Sequence, residues 1–315
     1  MGKMTVDVVI PTYNNAPYLE ACLESVFSQS VSPERILVVD DNSSDDTAEV
    51  LARLAADERV TVISNTVNKG PSASRNLAIS EASADLVAFL DGDDAWMPEK
   101  LALQVAQFER FEDLGLCFTG LVDCDEEFTP IADPRPVEEF SGKRVFEELF
   151  MSRFSIATST VMVRRAALDR CGLFNEEMRK TEDYELWLRI AMLYTLSAID
   201  ENCCQRRVHS NSLLANTDYD EKLKWEFFAF DECAAFAEKN GVALPMAVPL
   251  RKGFSVERRV KKSMGWGDIE GGRHYFNLLG EYRDIGILEK VMFSLDCLAI
   301  STKKRVGRAL KAVIC

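Results

Sequence analysis

Four apolar runs of strand length, separated by segments of helical period, organise the N-terminal third of this 315-residue chain. Val6 to Pro11 reads as a buried strand, and Leu19, Cys22, Leu23, Val26 and Phe27 then recur at the spacing that lines one face of a helix. Arg35 to Val39 repeats the strand, Asp40-Asp41-Asn42-Ser43-Ser44 supplies a polar turn with capping residues, and Val50, Leu51 and Leu54 begin a second stripe. Val60 to Ile63 is a third strand, Gly70-Pro71-Ser72 opens a third helix, and Leu86 to Leu90 is a fourth strand ending in Asp91. A chain alternating these two periods is restricted to β-α-β units around a parallel sheet, because parallel neighbours need a crossover and the crossover helix covers the sheet. Ligands of such sheets gather at the carboxyl ends of the strands. The clusters Thr12-Tyr13-Asn14, Asp40-Asp41-Asn42 and Asp91-Gly92-Asp93-Asp94 all stand at that edge, which predicts a single site.

Beyond this region the pattern changes twice. From Leu114 to about Ala215 short strands (Leu116 to Val122, Thr160 to Val163) mix with helices (Val145 to Phe150, Asp183 to Tyr194). From Tyr219 onward helical periods dominate, interrupted at Gly265-Trp266-Gly267 and Gly271-Gly272. The expected division is therefore residues 1–215, split near residue 122, and a helical extension over residues 216–315.

The net charge of −14 separates into −21 over residues 1–250 and +7 over residues 251–315, where 14 Lys and Arg face 7 Asp and Glu. So acidic a body excludes general nucleic-acid binding, which needs concentrated cations. Nine scattered cysteines without CxxC spacing read as reduced core residues, and no apolar run reaches the length of a signal peptide or a membrane span. A cytoplasmic protein is expected.

The segment from Val87 to Pro98 carries the clearest chemistry. A buried strand delivers three carboxylates within four residues, Asp91, Asp93 and Asp94, and such a concentration repels itself unless solvated or met by a cation. Hard oxygen donors suit Mg²⁺ or Mn²⁺, held through one or two carboxylates and the phosphates of a substrate. An ordinary acidic turn is the plainer reading of the same residues.

Taken in order, Val8-Val9-Ile10-Pro11-Thr12-Tyr13-Asn14, Leu37 to Thr47, Asn68-Lys69-Gly70 with Ser74-Arg75-Asn76, and Phe89 to Asp94 resemble the inverting glycosyltransferase family 2, whose nucleotide-binding fold is called GT-A. The resemblance is specific over residues 6–98, weaker to about residue 215, and absent beyond. It implies a Rossmann-like mixed α/β sheet flanked by helices, with residues 1–122 as nucleotide-binding half and 123–215 as acceptor half. It implies that Pro11, Thr12 and Tyr13 line a nucleoside pocket, with the Tyr13 ring against the base and Asp41 accepting hydrogen bonds from it. Lys69, Arg75 and Asp91 would lie near the nucleotide. Asp91 and Asp93 would meet the metal, with Asp93 ahead of Asp91 and Asp94 as direct ligand. Read singly, Tyr13 is packing, Asp41 a helix-start residue and Arg75 a solvated helix charge.

Thr181-Glu182-Asp183 resembles the family's Glu-Asp pair at a helix start, which implies that Asp183 is the catalytic base; the competing reading is a Thr181 N-cap with acids favoured by the helix dipole. The segment Arg206 to Ser212 resembles a loop after the last strand in which Arg or His approaches the diphosphate or metal, which nominates His209. The implied reaction moves a sugar, with inversion, from a nucleoside diphosphate donor, leaning toward uridine, onto a glycan or lipid-linked acceptor in polysaccharide assembly. Two rival readings compete with this one. A haloacid-dehalogenase-like phosphatase would want Thr or Val at Ala95 and its motif on the first strand; an inactive nucleotide-binding module would not need Asp91, Asp93 and Asp183. Finally, Val291, Leu295, Leu298 and Ala299, with Val306, Leu310 and Val313, form an apolar stripe beside Lys303, Lys304, Arg305, Arg308 and Lys311, which suits the inner membrane surface, packing on the domain, or a second subunit of a homo-oligomer.

Overall fold

The computed structural model describes residues 4–134, 137, 140–141, 144–209, 219–287 and 289–300. Ser210 to Ser212 and the tail residues from Lys303 to Val313 lie outside them. The chain divides into two compact units, Met1–Ala243 and Leu244–Cys315.

The alternation of strand and helix periods forms as expected. β1 (Val6–Thr12) is buried along its whole length, as a central strand covered on both faces must be. It lies parallel between β2 (Arg35–Asp40) and β4 (Leu86–Phe89), and β2 pairs in parallel with β3 (Val60–Ser64). The crossovers are α1 (Ala16–Phe27), α2 (Thr47–Leu54) and α3 (Pro71–Glu81). In α1 the residues Leu19, Cys22, Leu23 and Val26 are buried, the stripe expected from their spacing.

After β4 the sheet becomes mixed. The two-residue β5 (Ala95–Trp96) leads into α4 (Lys100–Arg110) and the long β6 (Leu114–Cys124). A short β7 (Phe140–Ser141), α5 (Arg144–Phe150), a single 3-10 turn over Thr158–Thr160, β8 (Val161–Arg164) and α6 (Arg165–Cys171) follow. Then come α7 (Glu182–Leu193) and β9 (Thr195–Arg207). β8 runs antiparallel between β4 and β6, and the order across the sheet is β3-β2-β1-β4-β8-β6-β9-β5, with β7 beside β9. Arg206 and Arg207, expected after the last strand, are its final residues: β9 runs parallel with β6 as far as Cys124 opposite Arg207.

Pro11 sits where the sheet opens. Pairing of β1 with β4 ends at Val9 opposite Phe89, and the Val9 carbonyl accepts the Leu90 N–H. Two residues on, toward the same neighbour, Pro11 has no N–H to give, so the chain beyond Leu90 departs without leaving a donor unpaired. That departure is the Asp91–Asp94 turn.

One core residue is unexpected. Lys100, fully buried in α4, points its ammonium at Gln104 Oε1 (2.7 Å) and lies 4.1 Å from the centre of the Trp96 ring. Burial lowers its pKa to about 8. The eight described cysteines are buried and unpaired, and no described helix is long and apolar enough to cross a membrane.

In the first unit α8 (Tyr219–Asn240) packs on α7. The second unit contains α9 (Val248–Gly265) packed on α10 (Ile269–Leu279), with residues 289–300 also helical.

Candidate active site

Two of the polar clusters are tied together by their own side chains. The Asn14 N–H donates to Ser43 Oγ (2.9 Å), and Asn14 Oδ1 accepts the Ser44 N–H (2.8 Å). The loop after β1 is thereby fastened to the loop after β2. Asp41, buried at the end of β2, accepts from Asn65 Nδ2 (2.8 Å) and from the backbone N–H groups of Lys69 (2.9 Å) and Gly70 (2.7 Å). It is a clamp on the loop entering α3, and Gly70, at φ 90°, adopts the left-handed backbone that brings its N–H round to the carboxylate. Tyr13 is 47% exposed and the Lys69 side chain is exposed too, so both stand at the rim.

The turn after β4 presses against β1. A Cβ on Gly92 would lie 3.0 Å from Thr12 Oγ1 and 3.1 Å from Asn15 Nδ2, so glycine permits the approach. Thr12 Oγ1 is itself buried without a hydrogen-bond partner. Asp91 and Asp93 are half-buried and Asp94 is buried, accepting from Ser159 Oγ (2.5 Å) and from the Arg207 N–H (3.0 Å). Burial, then the neighbouring Asp93 and Asp91, push the Asp94 pKa well up; burial and Asp91 also raise that of Asp93, against the pull of His209.

His209 is buried, with Nε2 3.0 Å from Asp93 Oδ2, Nδ1 lacking a partner, and its ring 4.9 Å from that of Tyr18. Arg207, which the sequence reading did not nominate, donates from Nε to the Asp93 carbonyl (2.9 Å) and from Nη1 to the Glu126 carbonyl. Its guanidinium lies between the rings of Tyr18 (4.4 Å) and Phe128 (3.9 Å).

Arg75 is 4% exposed, not a solvated helix charge. Nη2 donates to Asp91 Oδ1 (2.7 Å) and Nη1 to Glu182 Oε1 (3.0 Å), so one buried guanidinium joins the turn after β4 to the start of α7. Burial opposes its charge, but Asp91 and then Glu182 outweigh that and raise its pKa. The N-cap reading of Thr181 fails, because its backbone is left-handed (φ 62°) and its hydroxyl donates back to the Lys180 carbonyl.

Three acids open α7, and they differ in their partners. Glu182 is held by Arg75, and both oxygens of Glu185 are held by Arg189 at 2.6 Å. Asp183 has no cation bonded to it among the described residues: Oδ1 accepts the Tyr184 N–H (2.7 Å) and Oδ2 the Thr158 hydroxyl (3.1 Å). Burial, then Glu182, push its pKa up to about 6, against Arg75. A carboxylate with that pKa is a competent base near neutrality.

Among the described residues no group of three or more His, Cys, Asp or Glu side chains is arranged to hold a metal ion by itself. The donor set nevertheless fits a hard divalent cation, which takes one or two carboxylates and completes its shell with phosphate and water. Asp91 engages the protein through one carboxylate oxygen, and Asp93 meets His209 Nε2 through Oδ2.

Ser159 and Thr158 also escaped the sequence reading. The Asp91 N–H donates to Ser159 Oγ (3.1 Å) and the Trp96 indole N–H to the Ser159 carbonyl (2.7 Å), so a single turn supports the acidic loop and Asp183 together. No spacing in Ala157-Thr158-Ser159-Thr160 marks this.

Residues 7–172 match the profile described as Glycosyl transferase family 2. The chain is 30% identical over 212 residues to an uncharacterized glycosyltransferase of Methanocaldococcus jannaschii, covering 66% of this chain and 72% of that one. It is 27% identical to the UDP-Glc:α-D-GlcNAc-diphosphoundecaprenol β-1,3-glucosyltransferase WfgD of Escherichia coli, over 72% of this chain and 86% of that one. The crystal structure of S. aureus TarS 1-349 in complex with UDP superposes with a TM-score of 0.57 at 18% identity, covering 96% of this chain and 92% of that one. The chain belongs to glycosyl transferase family 2 and is a glycosyltransferase of the GT-A fold.

Proposed function

We propose that the chain transfers a sugar, with inversion, from a UDP-linked donor to a glycan or lipid-linked acceptor, using Asp183 as the base. The observation that carries this is the difference in partners among the acids of α7: Glu182 and Glu185 are bonded by Arg75 and Arg189, whereas buried Asp183 has no cation bonded to it among the described residues. A hydroxyl acceptor is a poor nucleophile at neutral pH, and a carboxylate in reach removes its proton as it attacks. Attack from the face opposite the diphosphate needs one base and no covalent intermediate.

On the donor side, Tyr13 offers an exposed ring for the base, Asp41 clamps the loop entering α3, and Arg207 brings positive charge to the leaving diphosphate. Asp91 and Asp93, with His209 beside them, would hold Mg²⁺ or Mn²⁺, whose charge would stabilise the departing diphosphate. Arg75 holds Asp91 at a fixed distance from the start of α7. The activity named for the E. coli relative and the UDP held in the TarS structure support a uridine donor and a lipid-linked acceptor.

A membrane contact suits such an acceptor. In the helix over residues 289–300, Phe293 stacks on Phe276 of α10 (4.1 Å) and Cys297 is buried. The other side exposes Val291, Met292 and Leu295, and Ile287 before it is 83% exposed. Apolar exposure beside a +7 segment suits an anionic lipid surface at the cytoplasmic side.

The test is a panel of nucleoside diphosphate sugars, each with and without Mn²⁺, read as melting temperature and release of nucleoside diphosphate. A UDP-sugar is expected to raise the melting temperature with metal and to yield UDP. A panel in which no donor binds or is cleaved would overturn the reading.

A further inference from the structure

The single turn Thr158–Thr160 is fastened from the donor side at its second and third residues. Ser159 Oγ bonds Asp94 (2.5 Å) and receives the Asp91 N–H, the Ser159 carbonyl receives the Trp96 indole N–H, and the Thr160 carbonyl accepts Gln104 Nε2 (3.0 Å). Gln104 in turn accepts from buried Lys100. Three elements, the turn after β4, β5 and α4, thus fix this turn. Its first residue, buried Thr158, reaches the other way and donates its hydroxyl to Asp183 Oδ2.

We propose that Thr158 is the positioning residue of the base, locking the Asp183 carboxylate in the orientation and ionised form that meet the acceptor, and referring its position to the donor-side carboxylates through Ser159. This rests on the assignment of Asp183 as base. With Oδ1 engaged by the Tyr184 N–H and Oδ2 by Thr158, each oxygen keeps one free lone-pair direction, so the hydroxyl sets which one faces the acceptor. A donor to a carboxylate also favours its charged form. The charged groups facing Asp183 are Glu182 on its own helix and Arg75 on α3; Thr158 is the neutral contribution from the third side. Without the hydroxyl, burial and Glu182 act against Arg75 and one backbone N–H alone.

The experiment compares wild type, Thr158→Val, Thr158→Ser and Asp183→Asn as full chains. The Asp183 carboxyl carbon is titrated by NMR, assigned by its loss in Asp183→Asn, and release of UDP from UDP-glucose and UDP-N-acetylglucosamine is followed against pH. In Thr158→Val the Asp183 titration is expected to move up by about one pH unit, and turnover to fall about tenfold with donor KM within about twofold. Thr158→Ser should restore both. An Asp183 titration that stays in place in Thr158→Val, or a turnover loss that Ser does not repair, overturns the proposal. Full turnover in Asp183→Asn would overturn the base assignment instead, while the carboxyl titration would still decide whether Thr158 holds the group.

Discussion

The guanidinium of Arg75 hydrogen-bonds the Asp91 carboxylate at 2.7 Å from a buried position on α3, and its other terminal nitrogen reaches Glu182. The residue that the family resemblance places near a nucleotide is committed to two protein carboxylates. Removing it leaves Glu182, 12% exposed at its side chain, uncompensated, while water screens Asp91, which is 36% exposed. Arg75→Met is expected to cost about 3 kcal/mol, the low end of the range for breaking a buried pair from one side. Arg75→Lys, keeping charge but not the fork, should cost less stability yet still lose turnover. Urea unfolding midpoints check the first and UDP release the second; an Arg75→Met variant of normal stability would show that the pair holds nothing together.

Asp93→Ala should remove Mn²⁺-dependent donor binding and leave the fold intact, because its carboxylate is crowded by Asp91 and raised in pKa by burial. The melting temperature without ligand should match or exceed wild type, while the increment from UDP-sugar with Mn²⁺ disappears. A variant that keeps that increment would move the metal elsewhere.

For Asp183 the sign of the pKa shift makes a double prediction. A carboxyl that titrates near 3.8 in the open chain and about 6 in the fold binds its proton more tightly when folded. Its contribution to stability is present below pH 3.8 and is lost as the pH rises toward and through 6. Turnover should follow the opposite course, rising with the deprotonated base through an acid limb near pH 6. Asp183→Asn should therefore lower turnover by about 10² to 10⁴ while gaining on the order of 2 kcal/mol of stability at neutral pH. A helix-start acid with no catalytic role would give preserved turnover, and that result moves the base elsewhere.

The proposed membrane contact is tested at Val291 and Leu295, which are 49% and 54% exposed, so that Val291→Glu with Leu295→Glu spares the packed side of the helix. Binding to phosphatidylglycerol vesicles should be lost while the melting temperature holds. Equal binding by both proteins would retire the idea.

The N-terminal half of the sheet was legible because periodicity is local: each strand and stripe from Val6 to Phe89 announces itself within a dozen residues. The bridge from Arg75 to Glu182 was not, since the two lie 107 residues apart and a lone arginine on a helix looks solvated. β9 was obscured because Asp200, Glu201 and Asn202 interrupt its apolar pattern where the register with β6 shifts at Gly120. Thr158 and Ser159 carry no pattern, because hydroxyls that support a site by single hydrogen bonds need no spacing.

Lys100 offers a use unrelated to transfer. A primary amine sealed among Trp96, Gln104 and the sheet cannot meet an acylating reagent until the fold opens, whereas the exposed lysines react at once. Under exchange conditions its acylation rate, read by peptide mass, becomes a clock for opening of the first unit, and any donor that binds the folded protein should slow that clock in proportion to its affinity.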